Sequence, residues 1–242
     1  MDTENSKNAK INIKLSELLE TPMFIALLVV LITFILFFIY KRRKGAKTDF
    51  LLMGLCDSGK THVFYQLLYL QVRSTFTSIS ANVGEYQSGR GPVRIIDIPG
   101  HERLRAKFFE EYKNTAKGIV FVVDSVTLQK DVRDAADYLY TILADNSTAN
   151  VPILILCNKQ DETMAKGCNV VKSLLEKEIN VIRTTRTNQL QSVDDSEKSN
   201  VFLGKQGKDF EFSQIQQNVQ IVECSAVNNK LSQLADWIDR VV

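Results

Sequence analysis

Three short motifs in this 242-residue sequence carry residue types suited to binding a nucleoside triphosphate. The first reads GLCDSGKT and fits the pattern G-x-x-x-x-G-K-[ST]. In such a loop the backbone N–H groups cradle phosphates, the lysine reaches the β- and γ-phosphates, and the last hydroxyl binds Mg²⁺. We therefore predict phosphate contacts from Gly54, Leu55, Cys56, Asp57, Ser58, Gly59, Lys60 and Thr61.

The second motif, Asp97-Ile98-Pro99-Gly100, ends an apolar run at 93–98. Here Asp97 is expected to hold the magnesium shell, and the Gly100 N–H to contact the γ-phosphate. A strand-end aspartate that begins an ordinary turn is the simpler interpretation. The order and spacing of the motif relative to Lys60 favour the functional one.

The third motif, Asn158-Lys159-Gln160-Asp161, points to guanine. The Asp161 carboxylate can accept hydrogen bonds from the guanine N1–H and 2-amino groups. Adenine offers neither donor, so it would leave a charge unpaired and be rejected. Asn158 is expected to brace the phosphate loop, and the Lys159 stem to pack over the base. A fourth loop, which contacts the guanine O6 in such sites, is predicted at Cys224, Ser225 and Ala226.

Short apolar runs near 50–55, 93–98, 118–123, 153–157 and 219–224 alternate with helical stretches, the first from about 60 to 72. This pattern predicts an α/β fold of the P-loop NTPase type, with a mostly parallel sheet and helices on both faces. Glu85-Tyr86, before a turn-forming stretch, is expected to end the antiparallel partner of the 93–98 strand. Ligands of such sheets bind at the carboxyl ends of the strands, where all the motifs lie.

The composition is that of a globular protein, with a formal net charge of +2 that does not indicate nucleic-acid binding. Direct sequence-specific binding of nucleic acid is therefore not expected. The four cysteines, Cys56, Cys157, Cys168 and Cys224, form no CxxC pair. Small buried thiols in a reducing compartment are favoured over metal ligands, so the domain is expected to face the cytosol.

A run without charges from Met23 to Tyr40 predicts one transmembrane helix, placed at 22–40. Its 18 residues would span about 27 Å as a helix, close to the thickness of a bilayer. A secretory signal peptide fits poorly, because about 20 mostly polar residues precede the run and no small-residue cleavage site follows. A basic linker at 41–47 then places 48–242 in the cytosol and 1–21 on the far side.

About 60 residues separate Asp161 from Cys224, more than one helix and two loops need. A helix is predicted at 167–180 and a mobile polar loop at 183–200, within a polar insert at about 183–215. The aromatic side chains of Phe202, Phe210 and Phe212 form either a partner-docking patch or part of the core. Core packing is favoured, because aromatic residues at period two often line one buried face of a strand. A closing helix around Trp237 is predicted to pack on the sheet.

Over 48–242 the chain resembles the Ras-like small GTPases, and the form GLxxxGKT is most similar to their Arf and Sar branch. The predicted anchor, DIPGHERLR at 97–105 and LGKQGKDFEFS at 203–213 together resemble the β-subunit family of eukaryotic signal recognition particle receptors. The last stretch is the most specific, because ordinary small GTPases lack it.

This resemblance implies a single-pass protein of the endoplasmic reticulum membrane with a lumenal N-terminus. In its GTP state it would bind the N-terminal domain of the receptor α-subunit, as a heterodimer, for co-translational protein targeting. The ribosome, the translocation channel and the lipid bilayer are the further expected partners. The expected cofactors are GTP or GDP and Mg²⁺.

The resemblance also bears on hydrolysis. Most Ras-like proteins have a glutamine where this chain has His101, whose imidazole is a candidate for positioning the attacking water. The alternative is an imidazole turned away from the site. Cys56 and Asp57 stand where some relatives have glycines and would crowd an arginine finger, so slow GTP hydrolysis is expected.

In the GTP state, a hydroxyl of the stretch 75–80 is expected to join Thr61 and Asp97 in binding Mg²⁺. Ser78 is the predicted ligand and Thr77 the alternative, while a solvated loop with no ligand role is the simpler interpretation.

Two further functions stay open at this point. An anchored Arf- or Sar-like GTPase of vesicle trafficking is one, although Asp2 occupies the position where N-myristoylation needs glycine. A non-switching scaffold with permanently bound nucleotide is the other.

Overall fold

The computed structural model describes residues 25–35, 37, 47–71, 78–191 and 202–242. The chain divides into two compact units, Met1–Ala46 and Lys47–Val242. In the first unit, residues 25–35 and 37 are helical with exposed side chains. Within the described ranges, no helix combines the length and the apolar character needed to cross a membrane. The predicted segment 1–21, the rest of the anchor 22–40 and residues 41–46 of the basic linker lie outside the described residues.

The second unit is built on a six-stranded sheet in which all neighbouring strands are parallel except one pair. The strands are β1 Asp49–Met53, β2 Asn82–Ser88, β3 Gly91–Asp97, β4 Ala116–Asp124, β5 Ile153–Asn158 and β6 Val219–Glu223. Their spatial order is β2-β3-β1-β4-β5-β6. The antiparallel pair is β2–β3, which confirms the predicted hairpin, and the mostly parallel sheet confirms the predicted fold class.

Helices cover both faces of the sheet, as predicted. They are α1 Lys60–Tyr69, α2 Glu102–Tyr112, α3 Leu128–Ala144, α4 Cys168–Gln191 and α5 Ser232–Val241. Alternation along the strands divides the apolar side chains between two cores. On β1, Leu51 and Met53 enter the core with α2, α3 and α4, whereas Phe50 enters the core with α1 and α5. Trp237 of the predicted closing helix packs edge-on against Phe50, with ring centroids 5.9 Å apart.

The polar insert differs from the prediction. Helix α4 continues to Gln191, so the loop predicted at 183–200 is wrong for 183–191, and residues 192–200 lie outside the described part of the chain. A long-range contact lies where the helix passes the predicted boundary. Arg183 is buried, and its guanidinium donates hydrogen bonds to the carbonyls of Leu203, Lys205 and Lys208. Sequence periodicity does not reveal such a contact.

The aromatic residues of the insert divide between two environments. Phe210 and Phe212 are buried in the core, which confirms the favoured interpretation for both. They do not lie on a strand, however, because Phe212–Gln214 is a short 3₁₀ helix. Backbone N–H groups of both phenylalanines bond to side chains of α4, Asn180 at 3.3 Å and Glu176 at 2.9 Å. Phe202 is half-buried, with its ring 5.1 Å from the Arg183 guanidinium carbon.

Candidate nucleotide-binding site

The phosphate loop joins the end of β1 to the start of α1, and two close approaches hold it in place. Gly59 caps α1 with φ 87°, and a Cβ there would lie 2.3 Å from the Asn158 amide nitrogen. Gly100 lies against the same loop, where a Cβ would be 2.5 Å from the Cys56 backbone nitrogen. Both positions therefore require glycine, one through conformation and space and the other through space alone.

Lys60 is only 5% exposed at the base of this loop. Its ammonium donates to the Leu55 carbonyl at 2.6 Å and lies 3.4 Å from the Ser58 hydroxyl. Burial lowers the pKa of Lys60, while the Asp97 carboxylate acts in the opposite direction. A buried ammonium whose hydrogen-bond partners are uncharged is well suited to bind a phosphate anion.

The three predicted magnesium ligands converge. Thr61 Oγ1 donates to Asp97 Oδ2 at 2.7 Å and lies 3.4 Å from Ser78 Oγ. Asp97 is 1% exposed, and its Oδ1 has no hydrogen-bond partner among the described residues. Burial raises the pKa of Asp97, against the hydrogen bonds from Thr61 and Asn82. Oxygen ligands with one buried, unpartnered carboxylate oxygen fit a hard cation such as Mg²⁺. Thr77, the alternative ligand, lies outside the described residues.

Asn158 links three loops at the predicted guanine end of the site. Its amide nitrogen donates to the Ser58 carbonyl at 3.0 Å, which is the predicted brace on the phosphate loop. Its amide oxygen accepts hydrogen bonds from the Ala226 N–H at 3.2 Å and from the Cys224 thiol at 3.4 Å. The predicted fourth loop therefore lies beside the third motif.

The carboxylate that was predicted to read the base is also positioned by that loop. Ser225 Oγ donates to Asp161 Oδ1 at 2.6 Å, and Asp161 is exposed. Exposure leaves this carboxylate accessible to a ligand. The structure thus brings together the residues that the sequence assigned to the phosphates, the metal and the base.

Asp124 was not identified from the sequence as a residue of the site. Lys159 has a left-handed backbone with φ 66°, and its ammonium pairs with Asp124 Oδ2 at 2.7 Å. Burial raises the pKa of the Asp124 carboxyl, but hydrogen bonds from Lys159 and the Val126 N–H outweigh it, so the pKa lies below its ordinary value. Asp124 holds the lysine stem that was predicted to cover the base. Its place at the end of a predicted strand was the available signal.

A cavity of about 270 Å³ lies at the phosphate end of the site. It is lined by Cys56, Asp57, Gly59, Lys60, Thr61, His62, Ser78, Ile98, Pro99, Gly100 and Lys159. His101 is exposed and caps the N-terminus of α2, where its Nδ1 accepts a hydrogen bond from the Arg103 N–H at 3.3 Å. This capping contact matches the alternative in which the imidazole is turned away, and a catalytic role for His101 stays a prediction.

The cysteines only partly fit the expectation of buried thiols. Cys157 and Cys224 are buried; burial raises the pKa of Cys157 to about 12, and it also raises the pKa of Cys224 above its ordinary value. Cys168 is half-buried. Cys56 is exposed, because its position in the phosphate loop places it at the cavity rather than in the core.

A family model described as signal recognition particle receptor beta subunit matches residues 45–219. The human signal recognition particle receptor subunit beta is 41% identical over 229 residues, which are 90% of this chain and 84% of the human protein. A chain from the structure of the mammalian SRP receptor is 40% identical with a TM-score of 0.71, covering 80% of this chain and 100% of that one. The SRb-GTP/SRX complex of Chaetomium thermophilum contains a chain with the same fold, at 21% identity and a TM-score of 0.65, covering 81% and 98%. The chain described here therefore belongs to the family of signal recognition particle receptor β-subunits, the small GTPases of that receptor.

Proposed function

We propose that this chain docks the receptor α-subunit at the endoplasmic reticulum membrane when it is loaded with GTP, and thereby supports co-translational protein targeting. The observation that carries this proposal is the convergence of the predicted motifs. Lys60, Asp97, Asn158 and Asp161 come from separate parts of the chain and meet at the carboxyl ends of the parallel strands. That edge is where α/β sheets bind nucleotides.

The chain's own residues have distinct tasks in this proposal. The phosphate loop and Lys60 bind the phosphates, and Asp161, held by Ser225, reads the guanine edge. Thr61, Ser78 and Asp97 would hold Mg²⁺, which when bound neutralises phosphate charge. The fungal SRb protein whose fold this chain shares was solved with GTP, which supports the same nucleotide here.

We assign α-subunit docking to a groove beside the phosphate loop. The groove has a volume of about 760 Å³ and lies between α2, α3 and α4. Cys56, Asp57 and Gly100 line both this groove and the phosphate cavity. A partner in the groove would therefore contact the loops that the γ-phosphate orders, which makes docking sensitive to GTP. The fungal chain of the same fold was solved in an SRb-GTP/SRX complex, which supports a partner-bound GTP state here.

Membrane attachment is assigned to residues 22–40, with 1–21 in the lumen and the basic residues of 41–47 on the cytosolic side. This arrangement would hold the receptor near the ribosome and the translocation channel. Insertion into microsomes tests it: the chain is expected to remain in the membrane pellet at alkaline pH, and protease is expected to remove 48–242. Release into the supernatant would contradict the anchor.

GTP hydrolysis is assigned a slow rate. The capping contact of His101 directs its imidazole to the start of α2, and Cys56 and Asp57 are exposed beside the phosphate cavity. Side chains at these two positions would impede an arginine finger.

Nucleotide exchange distinguishes a switch from a scaffold with permanently bound nucleotide. The chain is purified, and the release of a fluorescent GDP analogue is followed after unlabelled GTP is added in excess. Exchange within minutes is expected for a switch. Guanine nucleotide that survives purification and does not exchange over hours would support the scaffold and contradict the switch.

A further inference from the structure

Asn82 makes a contact with the predicted magnesium site that arises from strand pairing. It is the first residue of β2, four positions after Ser78 in the sequence. In the antiparallel pairing of β2 with β3, Asn82 is the direct partner of Asp97. Its amide nitrogen donates to Asp97 Oδ2 at 3.0 Å. The register of the hairpin thus places a neutral donor against the carboxylate.

The two oxygens of Asp97 are used unequally. Oδ2 accepts two hydrogen bonds, from Asn82 and from Thr61 at 2.7 Å. Oδ1 is buried and has no partner among the described residues. Rotation about the terminal torsion of an aspartate is broad and two-fold, so the oxygens would exchange roles readily if no donor held one of them. The two donors on Oδ2 therefore leave Oδ1 free to bind a cation or a water molecule of the cation's shell.

The donors from Asn82 and Thr61 are both compatible with a bound metal. Thr61 is itself a predicted metal ligand, and its hydroxyl can bind the metal through an oxygen lone pair while its hydrogen still bonds to Asp97. Asn82 is half-buried and has no predicted ligand role, so its amide can hold Asp97 both with and without a bound metal. Asparagine is also depleted in strands, so β-sheet propensity does not explain the residue at this position.

We infer that Asn82 is a positioning residue for the magnesium shell: it fixes Asp97 so that Oδ1 serves the cation, and it thereby sets how strongly Mg²⁺ retains the nucleotide. The inference rests on the proposed nucleotide function. Because Asn82 follows the segment that carries Ser78, it also connects that segment to the metal-binding carboxylate of β3.

The test compares nucleotide release with and without the metal. The 242-residue chain in detergent is loaded with a fluorescent GDP analogue, and release is timed in millimolar Mg²⁺ and in excess EDTA. Asn82→Ala is expected to release nucleotide about ten-fold faster than the parent in Mg²⁺, the scale typical for loss of a partner behind a metal ligand. In EDTA the two rates are expected to agree within about two-fold, because no metal remains to be positioned. Gln87→Ala, an exposed substitution on the same strand, should match the parent in both conditions.

Two results would overturn the inference. Equal release in Mg²⁺ would show that Asn82 does not position Asp97, and an equal acceleration with and without Mg²⁺ would show a purely structural role. If Asn82→Ala does not fold, Asn82→Leu, whose side chain has a similar shape and no charge, removes the donor and is expected to give the same Mg²⁺-specific acceleration. Release from the parent chain that EDTA does not change would contradict the proposed magnesium-nucleotide site itself, a failure distinct from that of Asn82 alone.

Discussion

At the residue scale, the amide of Asn158 is the point where the nucleotide loops are joined. It is 3% exposed and bonds to the Ser58 carbonyl and the Ala226 N–H. Asn158→Ala is expected to lower the free energy of unfolding by about 2 kcal/mol, because both groups lose a partner in a buried place. Urea unfolding measures the loss. Asn169→Ala, at an exposed position on α4, should stay within about 0.5 kcal/mol of the parent; equal losses in the two variants would contradict the linking role.

Asp161 should determine which base is bound. A carboxylate accepts from both donors of the guanine edge, whereas an asparagine amide offers one donor and one acceptor. The amide's pair of one donor and one acceptor matches xanthine, which has a carbonyl in place of the 2-amino group of guanine. Asp161→Asn is therefore expected to lose about 100-fold or more in GDP affinity and to prefer xanthosine diphosphate. Competition binding with the two nucleotides measures this change. If Asp161→Asn keeps its GDP affinity, the carboxylate does not read the base.

At the element scale, one carboxylate ties three strands together at the amino end of β1. Asp49 is fully buried and accepts hydrogen bonds from Arg94 of β3, at 2.8 Å to Nε, and from Thr115 just before β4. Burial raises the pKa of Asp49, but the hydrogen bonds from Arg94, Thr115 and Thr48 outweigh it, so the pKa is lowered. The stabilisation is therefore present above the unfolded pKa of about 3.9 and is lost as the pH falls through the lower folded pKa.

The lowered pKa of Asp49 predicts how the stability of the protein depends on pH. Asp49→Asn is expected to be less stable than the parent by about 2 kcal/mol at pH 7. The gap should stay constant down to about pH 5 and shrink below about pH 4, as the parent carboxylate is protonated. Chemical unfolding across this pH range measures the gap. Asp134→Asn, at an exposed position on α3, should show a small gap at every pH. A gap for Asp49→Asn that grows on acidification would contradict the account.

Arg183, on α4, binds the backbone of residues 203–208 of the polar insert through hydrogen bonds to their carbonyls. Arg183→Met is expected to cost about 3 kcal/mol, because the buried carbonyl of Leu203 and the part-buried carbonyl of Lys208 lose a charged donor. Hydrogen exchange should also speed up over 202–212. Arg186→Met is a matched control on the next turn, since it removes a partly exposed pair with Asp137 and should cost less than about 1 kcal/mol. Similar losses in both variants would contradict a specific role for Arg183.

The strands, loops and helices differ in how well they could be predicted from the sequence. Apolar runs located five of the six strands to within a few residues, most clearly β1, β4 and β5, because a strand buried on both faces leaves a continuous signal. The remaining strand, β2, was indicated only by the turn that follows it. The phosphate loop, Asp97, Asn158 and Asp161 were identifiable, because each is fixed by local loop geometry. The contacts of the buried Arg183 were not, because its partners lie twenty or more residues away in the sequence.

The contacts that Asn82 and Asp124 make in the site could not be predicted either, although the place of Asp124 at the end of a predicted strand was a signal. Asn82 meets Asp97 only through the register of β2 with β3, and Asp124 meets Lys159 only because β4 and β5 are neighbours. Neither residue belongs to a recognisable motif at fixed spacing from its partner. Contacts of this kind follow from the assembled sheet rather than from local sequence.

At the scale of the whole molecule, the phosphate cavity and the groove between α2, α3 and α4 share residues of the same loops. A change at the γ-phosphate would therefore alter a surface outside the nucleotide site, which is what a nucleotide-controlled docking subunit needs. The predicted anchor would confine that surface to the membrane. In the proposed function, partner recruitment and location would thus depend on different parts of one chain.

The measurement that tests this account most directly is retention of the receptor α-subunit's N-terminal domain by the 242-residue chain in detergent. The chain is loaded with a non-hydrolysable GTP analogue or with GDP, and Gln87→Ala serves as the matched control. We expect retention with the GTP analogue, loss with GDP, and loss for Asp161→Asn unless the xanthosine triphosphate analogue is supplied. Equal retention in the two nucleotide states would contradict GTP-controlled docking, and no retention in either state would contradict docking itself.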